Sequence, residues 1–210
     1  MFFADEELNC FSEHIIFSGT DEVGRGCLAG PVVSASVILK MGFDGNLIND
    51  SKQLTKINRE EAYHYIINHC DYAANFIDNV LIDKINILEA SIKSMNNSLL
   101  LLKTKPQLCF IDGNKFHSDV FIFKTIIKGD SKFLSIASAS IIAKVLRDNW
   151  MIEEASKLYP EYDFDQHKGY ATKLHFEKLK KYGETPIHRK TFLKKFYNQN
   201  KQLNIFSTVQ

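Results

Sequence analysis

Thr20-Asp21-Glu22-Val23-Gly24-Arg25-Gly26 sets two acids side by side and then an arginine between two glycines. A short apolar run, Ile15-Ile16-Phe17, precedes it, and Pro31 with a second run, Val32 to Leu39, follows. The two runs read as strands over 14–20 and 31–40, so the acids fall at a strand end and the glycines in the turn beyond. Adjacent carboxylates repel one another, and a divalent cation between them reverses the sign of that interaction. Glycines let backbone approach a ligand with no side chain in the way. Taken alone, the stretch also reads as an exposed polar turn.

Working outward, Val33, Ala35, Val37 and Leu39 alternate with Ser34, Ser36 and Ile38, which predicts a second strand with one better-buried face. Thr55 is an N-cap for a helix to about Cys70, and a third strand is expected over Tyr72–Val80. Ile85, Leu88, Ile92, Met95, Leu99 and Leu102 recur at spacings of three and four, the stripe of a core-facing helix. Leu108 to Ile111 is a short buried strand ending at Asp112-Gly113, and Val120 to Ile127 is another ending at Lys128-Gly129-Asp130. A long helix follows from about Leu134 to Leu158, with small residues at Ser135, Ala137, Ser138, Ala139, Ser140 and Ala143 that let it press close to a neighbour. A last helix is expected over Thr172–Tyr182, and residues 1–13 are expected to be loose. Three strands thus end in acid: Asp21-Glu22, Asp112 and Asp130. Each Asp-Gly alone is a commonplace turn; the repetition carries the argument. The pattern predicts an α/β sheet, with strands 1 and 2 antiparallel and later strands joined by crossover helices. In such sheets ligands collect at strand ends where the topology switches. Four carboxylates there would suit two divalent ions about 4 Å apart, the arrangement for in-line phosphoryl chemistry.

At 210 residues the chain is long enough for one domain with a proper core. A net charge of +1 announces no polyanion partner globally, although bases dominate from Lys168 to Lys201. Cys10, Cys27, Cys70 and Cys109 contain no C-x-x-C pair, which leaves zinc and redox motifs unsupported and fits reduced thiols in a cytoplasmic protein. The N-terminus is acidic rather than signal-like, and no apolar run approaches the roughly 20 residues of a membrane span.

The ordered motifs resemble the ribonuclease HII family. The resemblance rests on Asp21 to Val32, Asp50-Ser51-Lys52-Gln53-Leu54, Ile111-Asp112-Gly113, Lys128-Gly129-Asp130, Ile136 to Asp148, His167 to Lys173 and Pro186-Ile187-His188-Arg189. It spans about residues 14–193. One departure is Ser138 and Ser140 framing Ala139, where the family more often has an alanine-rich run. Ribonuclease HIII is similar but has Lys at the position of Arg25 and an extra N-terminal domain, which is not expected here.

The resemblance implies an RNase H-like mixed five-stranded sheet flanked by helices, with a C-terminal helical extension. The expected division is a catalytic domain over 14–160, a helical part over 161–197 packed on it, and a polar tail over 198–210. It implies an endoribonuclease using Mn2+ or Mg2+, two ions in the active complex, on RNA–DNA hybrids and on DNA duplexes containing ribonucleotides. Asp21, Glu22, Asp112 and Asp130 are then the metal-site carboxylates, with Asp21 and Asp112 bridging the ions. Successive strand side chains point to opposite faces, so Asp21 and Glu22 share a site only if the strand bends. Gly24, Arg25 and Gly26 are expected to read a 2′-hydroxyl, and Tyr170 the DNA–RNA junction. Lys52, Lys144 and Arg147 are candidate phosphate contacts. His167 and His188 are read as structural before ligands or bases. A monomer is expected, with a replication-clamp contact through Gln202, Ile205 and Phe206 in the tail, or else plain disorder there. The competing readings are an RNase H-like resolvase or transposase acting on DNA, a non-catalytic hybrid-binding protein, and a sugar-kinase or actin-like ATPase. The Gly-Arg-Gly turn speaks against the first and the four acids against the second. The ATPase needs a second phosphate loop that the sequence does not display.

Overall fold

The computed structural model describes residues 3–48, 54–194 and 197. Chain order is α1 (Asp5–Ser12), β1 (Phe17–Val23), β2 (Val32–Ile38), α2 (Lys56–His69), β3 (Asp71–Ile77), α3 (Asn79–Ile85), α4 (Ile87–Leu100), β4 (Leu108–Asp112), β5 (Phe123–Ile126), a 3-10 turn (Gly129–Ser131) and α5 (Leu134–Trp150). A π-helical turn (Met151–Ala155) carries α5 on into α6 (Ser156–Leu158), followed by a second 3-10 turn (Pro160–Tyr162), α7 (Phe164–His167) and α8 (Lys173–Tyr182). The expected clamp residues of the tail lie outside the described residues, as does Lys52.

The five strands form one sheet in the order β3-β2-β1-β4-β5. β1 pairs antiparallel with β2, and β2 with β3; β1 pairs parallel with β4, and β4 with β5. The direction of pairing therefore changes at β1, the strand that carries the acids. α5 and α2 cover one face, burying Ala35, Val37, Ala62, Ile66, Ala139 and Ile142 together. α4 covers the other through Ile92, Met95 and Leu99. Both faces being covered, all seven residues of β2 are buried, so the expectation of one better-buried face is corrected.

The small-residue run of α5 has a direct cause. A Cβ built on Gly19 of β1 would lie 2.2 Å from the Ser135 carbonyl carbon. Helix backbone sits on strand backbone there, and only glycine opposite a small residue admits that approach.

Other boundaries also moved. Residues 5–12 are helical rather than loose: Glu7, Cys10 and Phe11 share a face, and Phe11 meets Phe3 and Phe17 edge-on, each at 5.0 Å. The Glu7 carboxylate accepts from the N–H groups of Leu134 and Ser135 at 3.0 and 2.9 Å, so it caps α5 from outside the helix. β1 starts three residues later than expected and runs through the acids. The stripe from Ile85 to Leu102 spans two helices, because Asn86 turns the chain at φ 69° and its side chain caps α4 by accepting from Leu88 N–H at 2.9 Å. Asn79 and Val80 belong to α3, not to the third strand.

Candidate active site

β1, β4 and β5 run parallel, so their C-terminal ends lie along one side of the sheet. Thr20 stands beside Ile111 in the register of β1 and β4, and Asp112 beside Ile126 in that of β4 and β5. Asp21 and Asp112 therefore follow on neighbouring strands, and the turn carrying Asp130 follows β5. Gly129 N–H donates to Asp112 Oδ1 at 2.6 Å, which ties that turn to the strand-end acid. A cleft of about 270 Å³ opens here, lined by Asp21, Glu22, Val23, Asp112, Ser140, Lys144 and Tyr170. Asp21 and Glu22 do face one cleft although they are sequence neighbours. Asp130 is buried but is not in that lining.

The electrostatics mark the carboxylates as crowded. Burial raises Asp21 well above the usual carboxylate range, the charges of Glu22 and Asp112 raise it further, and the Ser140 hydroxyl partly offsets this. Burial lifts Glu22 to about 6 despite an ion pair with Arg25 at 2.9 Å. Glu22 Oε2 is buried with no hydrogen-bond partner, an arrangement that costs stability unless something else completes it. Hard oxygen donors, mutual repulsion and an orphaned carboxylate oxygen are what a divalent cation would satisfy. Among the described residues no group of three or more His, Cys, Asp or Glu already stands at ion-holding spacing. The acids border the cleft rather than enclose a point in it.

The glycine turn is held from behind by two buried arginines. Arg147 Nε donates to Pro31 O at 2.9 Å, Nη2 to Ala29 O at 3.1 Å and Nη1 to Lys168 O at 2.9 Å. Arg189 donates twice to Gly30 O and, at 2.9 Å, to Arg25 O. Burial, with Arg147 close by, pulls Arg189 down to about 10. The expectation that Arg147 contacts phosphate is thus corrected: its guanidinium is fully buried and each of its three nitrogens donates to a backbone carbonyl. Arg189 stood in a quoted motif, but sequence gave no sign that it would be buried. While the carbonyls of the loop face the arginines, the N–H groups of Arg25 and Gly26 meet no acceptor among the described residues. Gly24 sits at φ +97° against Arg147, and the Cβ position of Gly26 is open.

Lys144, one turn before Asp148 on α5, pairs with it at 3.0 Å and lies 5.3 Å from the centroid of the Tyr170 ring. Arg147 lies 5.4 Å from the same ring. The Tyr170 hydroxyl stands beside Cys27, and burial lifts the phenol to about 12. Ser140 was expected only as a small packing residue; its hydroxyl also serves Asp21. His167 and His188 lie away from the cleft lining, in a buried cluster with His175.

Comparison with known proteins agrees with this geometry. The profile of a family described as ribonuclease HII matches residues 18–198. The ribonuclease HII of Endomicrobium trichonymphae is 51% identical over 177 residues, 83% of this chain and 84% of that one. That of Mycoplasma mycoides subsp. mycoides is 44% identical over 191 residues, 90% of this chain and 91% of its own. Among solved structures, the ribonuclease H2 from Pyrococcus horikoshii superposes with a TM-score of 0.68 at 27% identity, covering 83% of this chain and 92% of that one. RNase HII in its PCNA complex from Archaeoglobus fulgidus gives 0.71 at 25%, covering 84% and 94%. Strand ends, glycine turn and sequence point the same way, and the chain belongs to the ribonuclease HII family.

Proposed function

We propose that this cleft cuts the RNA strand of RNA–DNA hybrids and the 5′ side of ribonucleotides embedded in DNA, leaving 3′-OH and 5′-phosphate ends. As a member of the ribonuclease HII family the chain is a metal-dependent endoribonuclease. The observation that carries the finer reading is the meeting of three strand-end carboxylates, Lys144 and Tyr170 in one cleft, beside a turn whose outward N–H groups are open.

Asp21, Glu22 and Asp112 would hold the metal, with Asp130 joining from the turn tied to Asp112. Two divalent ions, Mn2+ or Mg2+, would supply activation of water and neutralise charge on the leaving 3′ oxygen. Lys144 draws the phosphate toward the acids. The N–H groups of Arg25 and Gly26 read the 2′-hydroxyl, which tells RNA from DNA. Tyr170 stacks on the sugar of the next nucleotide at the junction. The same reading takes the protein as a cytoplasmic monomer, where its four free thiols stay reduced. The PCNA complex of the Archaeoglobus relative supports a clamp contact, which we place in the tail beyond the described residues.

Asp112→Asn tests the reading. It should abolish hybrid cleavage in Mn2+, as chelation should in the unaltered protein, while hybrid binding persists because negative charge near phosphate is removed. Cleavage by Asp112→Asn at the unaltered rate would overturn it.

A further inference from the structure

Among the described residues, Tyr170 is the one aromatic residue in the lining of the acidic cleft. Its backbone is held by a chain of imidazoles that the reaction itself does not use. Thr185 N–H donates to His188 Nδ1 at 2.8 Å. His188 Nε2 faces His175 Nε2 at 2.9 Å. His175 Nδ1 faces the Tyr170 carbonyl at 2.9 Å. The two ends of this chain fix every proton in it. A backbone N–H can only donate, so His188 Nδ1 must accept, and the ring carries its hydrogen on Nε2. That hydrogen occupies the space toward His175, whose Nε2 must accept in turn. His175 then carries its hydrogen on Nδ1 and donates it to a carbonyl, which can only accept. The run from Thr185 to Tyr170 is directional, neutral and fully satisfied.

His167 braces the chain from the side. Its ring stacks on His175 at 4.2 Å and 18°. Its Nδ1 accepts from Gly169 N–H at 3.1 Å and its Nε2 donates to Tyr162 O at 2.9 Å. All three rings are buried. A buried polar network costs desolvation that an apolar cluster of the same size would not incur, and what it adds is a single defined geometry. Here the defined geometry is that of the segment bearing Tyr170.

We propose that His175 and His188 are positioning residues which set Tyr170, through its carbonyl, for recognition of a single ribonucleotide. The inference rests on the role given to Tyr170 above. His175 acts directly on that carbonyl, and His188 acts by fixing the tautomer of His175. Neither touches substrate.

The test uses paired amide variants, because each keeps one end of the imidazole. In His175→Asn the side-chain amide sits where Nδ1 was and still donates to Tyr170 O. In His175→Gln it reaches the Nε2 position and leaves that carbonyl without its histidine donor. Each variant, with Tyr170→Ala alongside, is assayed in Mn2+ on a duplex with one embedded ribonucleotide and on a long RNA–DNA hybrid, and its thermal midpoint is measured. The expected result is that His175→Gln lowers the single-site rate relative to the long-hybrid rate by roughly tenfold or more, within the range that misplacing a positioned group costs. His175→Asn should recover most of that ratio at a similar thermal midpoint. If His175→Gln does not fold, His188→Asn replaces it; it keeps the Thr185 bond, breaks the link to His175, and should shift the ratio the same way. Equal loss on both substrates, tracking the thermal midpoint in every histidine variant while Tyr170→Ala remains selective, would overturn the proposal and make the cluster a packing element. Equal loss for Tyr170→Ala itself would remove the role of Tyr170, and the proposal with it. An unaltered protein that ignores the embedded ribonucleotide would remove the proposed function.

Discussion

A methyl group at Gly26 would meet nothing within 4 Å, whereas one at Gly24 would sit 2.2 Å from Arg147 Nε on a backbone at φ +97°. The two glycines of one turn are therefore separable by experiment. Gly24→Ala strains the backbone and displaces a buried guanidinium, so it should lower stability and activity together. Gly26→Ala has room in the free protein, so its stability should change by no more than about 0.5 kcal/mol. Substrate backbone would meet that methyl group, and cleavage should fall at least tenfold, roughly the loss of one well-placed contact. Thermal melting beside cleavage rates on a hybrid checks both. If Gly26→Ala cleaves at the unaltered rate, substrate does not approach this face of the turn.

On α5, Lys144 and Arg147 are three residues apart, and the helix gives them different surroundings. Lys144 borders the cleft; Arg147 turns inward to the carbonyls of Ala29, Pro31 and Lys168. Lys144→Ala should weaken binding to every duplex alike and reduce the slope of log affinity against log salt by about one. Arg147→Ala should leave that slope unchanged yet destabilise the protein, because three carbonyls lose their buried donor. Binding titrations at several salt concentrations, below the thermal midpoint of each variant, decide between them; a slope reduced by about one for Arg147→Ala would return it to the phosphate contacts. This difference explains how far the sequence could be read. Strand-end acids and the stripe of α4 follow from short-range pattern, so the sheet and the three cleft acids were legible. The burial of Arg147 depends on where a loop over a hundred residues earlier folds back, and no local pattern encodes that. Glu7 is similar: in sequence it belongs to an acidic, loose-looking start, yet its carboxylate caps a helix that begins at Leu134. Asn86 broke a continuous apolar stripe into two helices because its side chain caps the second, a choice periodicity does not reveal.

Across the whole molecule, the fold carries opposing titrations. Burial holds His175 at about 3 and His188 at about 4, against 6.5 for a free imidazole. Neutral in the fold, they take protons when the chain unfolds, so their contribution is full above pH 6.5 and drains away as pH falls toward 3. Glu22, raised from 4.5 to about 6, works the other way: its contribution is present below pH 4.5 and is lost as pH rises through 6. A cation at Glu22 competes with that proton. Added Mn2+ should therefore raise the thermal midpoint more at pH 7.5 than at pH 5.5, and His175→Gln should flatten the acid side of the metal-free profile. Equal Mn2+ shifts at both pH values would place the cation away from Glu22. The most direct test of the account as a whole is end-mapped cleavage of a DNA duplex carrying one ribonucleotide, beside the same duplex with deoxyribose throughout. The account predicts, in Mn2+, a single cut on the 5′ side of the ribonucleotide with 3′-OH and 5′-phosphate ends, and no cut in the all-DNA duplex. Comparable cutting of both duplexes would contradict it.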